Sequence, residues 1–455
     1  MSKKYDFDYI IIGSGPAGST AALALASSSK SSVAIIESYA IGGNHLNTRD
    51  IPYTLSLNFS HLFAKLSHYP EINGHDIHYN FPTAVSHQDR ITSSLVNDHQ
   101  KALKDSGIKI INGQAHFLDK HTVAVGKKQF TAGTFIIATG AKLNTASIAG
   151  LDTVSYLTPD NIFKIRRLPK YLLVVGGGPT GCEIAEYFAE LGTKVIILEQ
   201  SDRILPKEDI ETSAIISDYF TKKLGMLIIR NAKVVALEQD HSSKKVIYHD
   251  GKQEKTIRIE HIVLATGAIP SLDFSPENAG IKYKSTGIIV DSLFQTSAKN
   301  IYAVGDCLGG RLSSAEHSEY QASLLASNLL TKSKNLSNLN GFIRIVNTYP
   351  EIATVGLSEA TLIKRKRKYK KAIVPLKDLI VSKTEHLEHG FVKIMVDRSN
   401  HILGATIVMP HAALMAEEFA LAIRHRLTIL EIASTPHLVN SFNYAIKLAA
   451  KQLIK

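Results

Sequence analysis

YIIIGSGPAGSTAALALA, residues 9–26, opens on an apolar β-branched run, turns on glycines and continues as a helix of small residues. A glycine turn between strand and helix lets the backbone approach a pyrophosphate at the helix N-terminus, where unpaired N–H groups point outward. Gly13, Gly15 and Gly18 occupy the three glycine positions. A strand expected over Val33–Ile36 then ends at Glu37, 19 residues after Gly18. That spacing suits an acid accepting hydrogen bonds from a ribose. The same grammar returns at YLLVVGGGPTG, residues 171–181, carrying Gly176, Gly178 and Gly181. A helix is expected over Cys182–Leu191 and a strand over Lys194–Leu198, ending at Glu199, 18 residues after Gly181. One such fingerprint is weak evidence; two, each with its acid in place, imply two dinucleotide sites in an α/β chain.

Composition sets the outer bounds. The 455 residues, 44% hydrophobic and 20% charged, suit a globular chain of about three domains. No apolar run is long enough to span a bilayer, so no membrane partner is expected. AALALA (Ala21–Ala26) follows Gly18 so closely that it reads as the first helix of the nucleotide fold rather than as a signal segment. Cys182 and Cys307 lie far apart without metal-ligand or CxxC spacing, and the default expectation is a cytoplasmic protein without structural disulfides. The run Lys364–Lys371 contributes +7 to the net +11. Such a tract can hold nucleic acid or another acidic partner, but no RNA- or DNA-binding motif accompanies it, and a solvated helix end and loop is the simpler reading. His61, His68, His75, His78 and His87 show no ligand spacing, so no metal is expected.

Two later strands end in the same tripeptide, FIIATG (Phe135–Gly140) and IVLATG (Ile262–Gly267), and IYAVGDC (Ile301–Cys307) forms a further apolar strand with an acid at its end. After the Ser/Asn/Lys-rich segment Thr331–Asn340 come TYPEIATVGLSE (Thr348–Glu359), GFVKIMVD (Gly390–Asp397) and ILGATIV (Ile402–Val408). In this order the landmarks resemble the pyridine nucleotide-disulfide oxidoreductase family of glutathione reductase and dihydrolipoamide dehydrogenase. The resemblance implies two Rossmann-like dinucleotide-binding domains plus a C-terminal α+β dimerisation domain, and hence a homodimer. FAD would occupy residues 1–150 and 270–340, NAD 151–269, and the interface 341–455. It places FAD on Gly13, Gly15, Gly18, Glu37, Gly42, Gly43 and Asp306, with Ala115, Thr139 and Gly140 also at the cofactor sites. The nicotinamide nucleotide falls on Gly176, Gly178, Gly181 and Glu199, with Gly267 completing the cofactor set. A carboxylate at Glu199 would accept from a free 2′-hydroxyl and repel a 2′-phosphate, which favours NAD(H).

The departure from the family lies at IGGNHLNTRDIPYTL, residues 41–55. The relatives read GGTCxNxGCxPSK there. Gly42, Gly43, Asn47 and Pro52 match, but His45 and Asp50 stand where the two cysteines belong, and Thr54 where the lysine belongs. A disulfide stores two electrons through thiolate chemistry that neither imidazole nor carboxylate performs. Glu183 matches the glutamate that pairs with the missing lysine, so it needs another donor or a raised pKa. Pro179 replaces a gate residue over the nicotinamide pocket. The C-terminal HxHPTxxE motif is also broken. A gapless overlay puts His437 on its first histidine, Val439 on the catalytic one, Asn440 on the proline and Tyr444 on the glutamate. A shifted one matches Pro436 to the proline and puts Thr435 on the base and Asn440 on the glutamate, and either register loses the His–Glu pair.

Two readings of His45 and Asp50 stay open: a proton relay to an acceptor, or a pair that fills the place of the lost disulfide. Both predict that the two side chains touch. The expected activity is that of an FAD-dependent NADH oxidoreductase passing electrons to a non-disulfide small-molecule acceptor. Quinone, a nicotinamide nucleotide, oxygen and another small oxidant are the candidates, with His45, Asp50 and Glu183 as catalytic residues. The rival is a pseudoenzyme that binds FAD and NAD as a redox sensor or scaffold.

Overall fold

The computed structural model describes all residues except 1–3, 29–30, 68, 70–78, 146–147, 311–313, 388 and 455. His68, His75 and His78 therefore lie outside the described residues. The chain divides into two compact units, Met1–Tyr53 with Thr83–Asn144 and Gly267–Asn338, and Thr54–Pro82 with Thr145–Thr266 and Leu339–Lys455.

In the first unit, Phe7–Ile12 pairs in parallel with Val33–Glu37 on one side and Lys128–Ile137 on the other. Lys109–Asn112 extends the sheet beyond Val33–Glu37, and Ile301–Ala303 adds a parallel strand against Phe135–Ile137. Ala115–Asp119 and Thr122–Val125 form an antiparallel ribbon that continues into the same long strand. The helices Pro16–Ala26 and Ala315–Thr331 bring Ala21, Ala22, Leu25, Ala322 and Leu325 onto Ile11, Ile35 and Ile136. The continuous apolar runs reflect a parallel sheet buried on both faces.

The second unit repeats the plan. Leu227–Ile229, Lys194–Leu198, Tyr171–Val175 and His261–Leu264 lie side by side, all parallel. An antiparallel ribbon of Lys233–Asp240, Ser243–His249 and Glu254–Ile259 again precedes the strand that ends in Ala-Thr-Gly. The same unit contains a five-stranded antiparallel sheet in the order Ile343–Val346, Ile352–Gly356, Ile402–Val408, Phe391–Val396, Lys370–Pro375. The helices Ala412–Arg424 and Tyr444–Leu453 pack on it. The expected α/β units and the expected α+β C-terminal region, an antiparallel sheet with helices packed on it, are both present.

Strand and helix bounds differ from expectation by a few residues. The second nucleotide helix starts at Pro179 rather than Cys182, because proline at the first helical position has no N–H to lose. The basic run is split: Lys364 ends the helix Glu359–Lys364, and Lys370 and Lys371 already belong to a strand.

Candidate dinucleotide and redox site

The two glycine turns superpose in their chemistry. Gly13 and Gly176 have φ of 103° and 110°, the left-handed side that glycine alone enters freely. Their amides donate to Ile36 O and Leu198 O, each at 2.8 Å. A Cβ on Gly18 would overlap the Gly13 carbonyl oxygen, and one on Gly181 the Gly176 carbonyl oxygen, so each helix is pressed against its own turn. Gly15 and Gly178 are the N-caps, both followed by proline, and neither helix has a side-chain cap. Space is open at both cap glycines, with nothing within 4 Å of an added Cβ. An uncapped helix N-terminus facing open space fits a pyrophosphate at each turn.

The two acids grip these turns. Glu37 Oε2 accepts from Ser14 N at 2.8 Å and Ser14 Oγ at 2.6 Å, and Oε1 from Tyr39 N at 2.9 Å. Glu199 Oε2 accepts from Gly177 N at 2.7 Å and Oε1 from Ser201 N at 2.6 Å. An ionised carboxylate offers about four lone-pair sites. Both acids therefore keep acceptor capacity for a ribose hydroxyl. Ala115 is buried at the start of its ribbon strand, while Gly113 N donates to Glu37 O at 2.8 Å. Thr139 Oγ1 donates to Ser271 O at 2.8 Å, Ser271 N to Gly140 O at 2.9 Å, and Asn144 N to Gly267 O at 3.0 Å. Asp306 lies in the short helix Gly305–Leu308, which the Gly305 N–Gln321 Oε1 bond of 2.7 Å ties to the following helix. A Cβ on Gly305 would come within 3.1 Å of Ala17 Cβ, so the acid's helix borders the first glycine turn.

The loop that departs from the family lies on that turn. Gly42 N donates to Ser14 Oγ at 3.1 Å, and a Cβ on Gly43 would approach Gly15 Cα to 2.9 Å. His45 sits in the helix Gly43–Asn47, and Asp50 begins the helix Asp50–Ser67. Asn47 closes the loop by donating to Ile41 O at 2.9 Å and Gly43 O at 2.8 Å. His45 Nδ1 and Asp50 Oδ2 are 2.7 Å apart, as both readings of the pair require. Burial opposes the charge on His45. The hydrogen bond to Asp50 and the fields of Asp50, Glu319 and Glu316 outweigh it, and the imidazole pKa is raised.

A second histidine, which no motif marks, stands close by. His99, on the helix Phe81–Asp105, places Nε2 2.8 Å from Ser19 Oγ, and Ser19 Oγ donates to Ser14 O at 2.7 Å. Burial and the charge of His45 lower its pKa.

Neither cysteine replaces the missing pair. Both are free and buried; burial raises Cys182 well above the usual thiol range and pushes Cys307 up to about 12. Glu183 has exchanged its lysine for a new donor: its Oε1 accepts from Asn347 N at 2.8 Å and Asn347 Nδ2 at 3.1 Å. His437 has both ring nitrogens engaged, Nδ1 with Thr435 O at 2.9 Å and Nε2 with Glu418 Oε1 at 3.2 Å, and its side chain is 4% exposed. A His–Glu contact thus exists here with a glutamate that the motif does not predict. Val439, on the position of the base, is half exposed.

Among the described residues no group of three His, Cys, Asp or Glu side chains is arranged to hold a metal ion, and no helix is long and apolar enough to cross a membrane. In the basic tract, Lys371 pairs with Glu359 at 2.7 Å and Arg367 with Asp397 at 3.7 Å.

The sequence pattern of the pyridine nucleotide-disulphide oxidoreductases matches residues 7–322, and that of their dimerisation domain matches residues 343–450. The chain belongs to this family. Its members bind FAD and NAD(P)H, so it is a flavoprotein oxidoreductase by descent, and the dimerisation domain suggests a homodimer. The chain is 30% identical to a mercuric reductase of Bacillus cereus over 438 residues, 95% of this chain and 69% of the relative. It is 27% identical over 465 residues to an NAD(P)H dehydrogenase (quinone) of Mycobacterium tuberculosis, 98% of this chain and 93% of the relative. Among solved structures, LpdA of Mycobacterium tuberculosis superposes with a TM-score of 0.87 at 26% identity, covering 98% and 99% of the two chains. The HOCl-induced flavoprotein disulfide reductase RclA of Escherichia coli gives 0.88 at 25% identity, covering 99% and 100%.

Proposed function

We propose that this family member oxidises NADH with FAD and passes the electrons to a quinone or another small two-electron acceptor that is not a disulfide. The observation that carries the reading is the His45–Asp50 pair at 2.7 Å in the loop where the relatives keep their cysteines. The remaining cysteines are buried elsewhere in the chain. FAD, when bound, supplies the two-electron store. The FAD assignment of residues 1–150 and 270–340 and the NAD assignment of 151–269 belong to the same proposal.

The protein's own residues then have defined tasks. Ser14 and Glu37 hold the first glycine turn and present an acceptor for the adenosine ribose of FAD. Glu199 does the same for NAD(H), and its negative charge disfavours a 2′-phosphate. Asp50 binds His45 Nδ1, which orients the ring and leaves Nε2 to hand a proton to the acceptor as it takes the electrons. Support for a quinone comes from the relative named as a quinone-reducing NAD(P)H dehydrogenase, which aligns over 98% of this chain.

A second reading, a nucleotide-binding pseudoenzyme, is favoured by Glu183, whose carboxylate is tied to Asn347 in place of a lysine. One experiment separates the two. The purified flavoprotein is mixed anaerobically with NADH and the flavin absorbance followed by stopped flow, then a quinone is added. Rapid bleaching followed by quinone-dependent recovery is expected; a flavin that stays oxidised would select the pseudoenzyme.

A further inference from the structure

The second glycine turn is held from behind by a segment outside the nucleotide fingerprint. Leu205 N donates to Gly177 O at 2.7 Å, and a Cβ on Gly177 would meet Ile204 Cγ2 at 2.8 Å. Leu205 has φ of 48°, a left-handed conformation that costs free energy for a branched side chain and persists only where surrounding contacts impose it. Those contacts come from the next residues. Glu208 N donates to Leu205 O at 3.0 Å, and Ser213 Oγ to Ile204 O at 2.7 Å.

The acids that follow dock on the five-stranded sheet through a single polar row. Arg344 pairs with Thr354, Thr354 with Thr406, and Thr406 with Lys393, so these four residues lie in register across adjacent strands. Each grips the 208–211 segment. Glu208 Oε2 accepts from Thr354 Oγ1 at 3.0 Å and from Arg344 at 3.4 Å. Asp209 Oδ2 accepts from Thr406 Oγ1 at 2.9 Å and lies 2.7 Å from Lys393 Nζ. Lys393 Nζ also reaches Glu211 at 3.1 Å and Glu359 at 2.9 Å, and Lys371 and the Tyr369 hydroxyl share Glu359.

The lysine side chain is 0% exposed, in a strand whose six residues are all buried. A buried cation held by several acids is a poor source of net stability compared with apolar packing. A placement role explains it better. Lys393 would fix Asp209, which fixes Glu208 and Leu205, which in turn fix the Gly177 turn.

We infer that Lys393 is a positioning residue for the nicotinamide nucleotide, setting the second glycine turn through the Asp209–Leu205 segment. The inference rests on the reading of that turn as the NAD(H) site. The first glycine turn has its own brace, Ser14 with Glu37 and Gly42, and needs nothing from this row. NADH affinity is therefore sensitive to Lys393 and FAD retention is not.

The test compares the full-length flavoprotein with K393M and T406V. NADH binding is followed by the nucleotide's own fluorescence, FAD content by absorbance, and stability by thermal unfolding. Substitutions along such a path shift coupling enough to weaken NADH binding about threefold to thirtyfold in K393M. FAD content stays at the wild-type level, and T406V shifts NADH binding in the same direction by less. If K393M does not fold, T406V carries the comparison. A folded variant that melts earlier yet binds NADH with wild-type affinity would show a purely structural cluster and overturn the inference. A wild-type protein that bound no NADH at all would overturn the nucleotide reading and this inference with it.

Discussion

His45 Nδ1 and Asp50 Oδ2 meet at 2.7 Å across the turn between two helices, with the imidazole 26% exposed and the carboxylate 56% exposed. The bond engages Nδ1 and leaves Nε2 for a proton passed to the acceptor. Asp50 keeps the His45 pKa raised against the opposing effect of burial. D50N removes the charge and leaves burial dominant, so the His45 titration followed by NMR moves to lower pH. In the same variant the alkaline limb of the acceptor rate profile, where the His45 proton is lost, moves to lower pH with it. H45A abolishes acceptor turnover and spares flavin reduction by NADH; unchanged turnover in H45A would remove the relay.

Glu199 bridges two backbone amides, Gly177 N and Ser201 N, at 2.7 and 2.6 Å. E199Q loses the charge that strengthens both bonds and the one to a ribose. Hydrogen bonds to charged groups contribute about 1.5–3 kcal/mol, so NADH binding weakens roughly tenfold to a hundredfold. NADPH, repelled in the wild type, loses less, and the ratio of the two kcat/KM values falls. Equal use of NADH and NADPH by the wild type would contradict the role given to this acid.

Which parts of this site could be read in advance follows from how local their causes are. The glycine turns were legible because a steric demand at Gly18 or Gly181 is met by a residue five positions away, and the acids because each closes a strand at a fixed distance beyond its turn. The missing cysteines were legible as letters. The Glu183–Asn347 bond spans 164 residues, and nothing near either residue announces the other. His99 comes to Ser19 from a helix 80 residues away with no motif around it. Lys393 is not legible locally either: in FVKIMV its same-face neighbours Phe391 and Met395 are apolar, and nothing in the run names a partner for a buried cation. It is buried because Asp209, Glu211 and Glu359 reach it from outside the strand.

Glu190 lies at the end of the helix Pro179–Glu190, and its carboxyl pKa is pushed up to about 7 by burial, in spite of the hydrogen bond from Tyr219. Its folded pKa exceeds the unfolded value, so the native state holds the proton longer. Stability from this group is present below about pH 4.5 and is lost as pH rises through about 7. E190Q keeps an acceptor for the Tyr219 hydroxyl, 2.8 Å away, and cannot ionise. Thermal unfolding should therefore match the wild type near pH 4 and favour E190Q near pH 8, by up to about 3 kcal/mol. Identical curves at both pH values would mean that Glu190 is solvated.

The electron count can be checked without knowing the acceptor. Relatives that work through a disulfide expose new thiols when their pyridine nucleotide reduces them, and a thiolate beside the flavin produces a charge-transfer band. Here the two cysteines are far from one another in the chain and both buried, each with a raised pKa that keeps it as the unreactive thiol. A thiol reagent such as Ellman's should therefore find none in the native protein, none after anaerobic reduction with NADH, and two after unfolding in denaturant. NADH consumed per flavin should stop at one equivalent, with no long-wavelength band. Appearance of reactive thiols on reduction, or uptake of a second equivalent, would mean that a cysteine takes part and that the flavin is not the sole electron store.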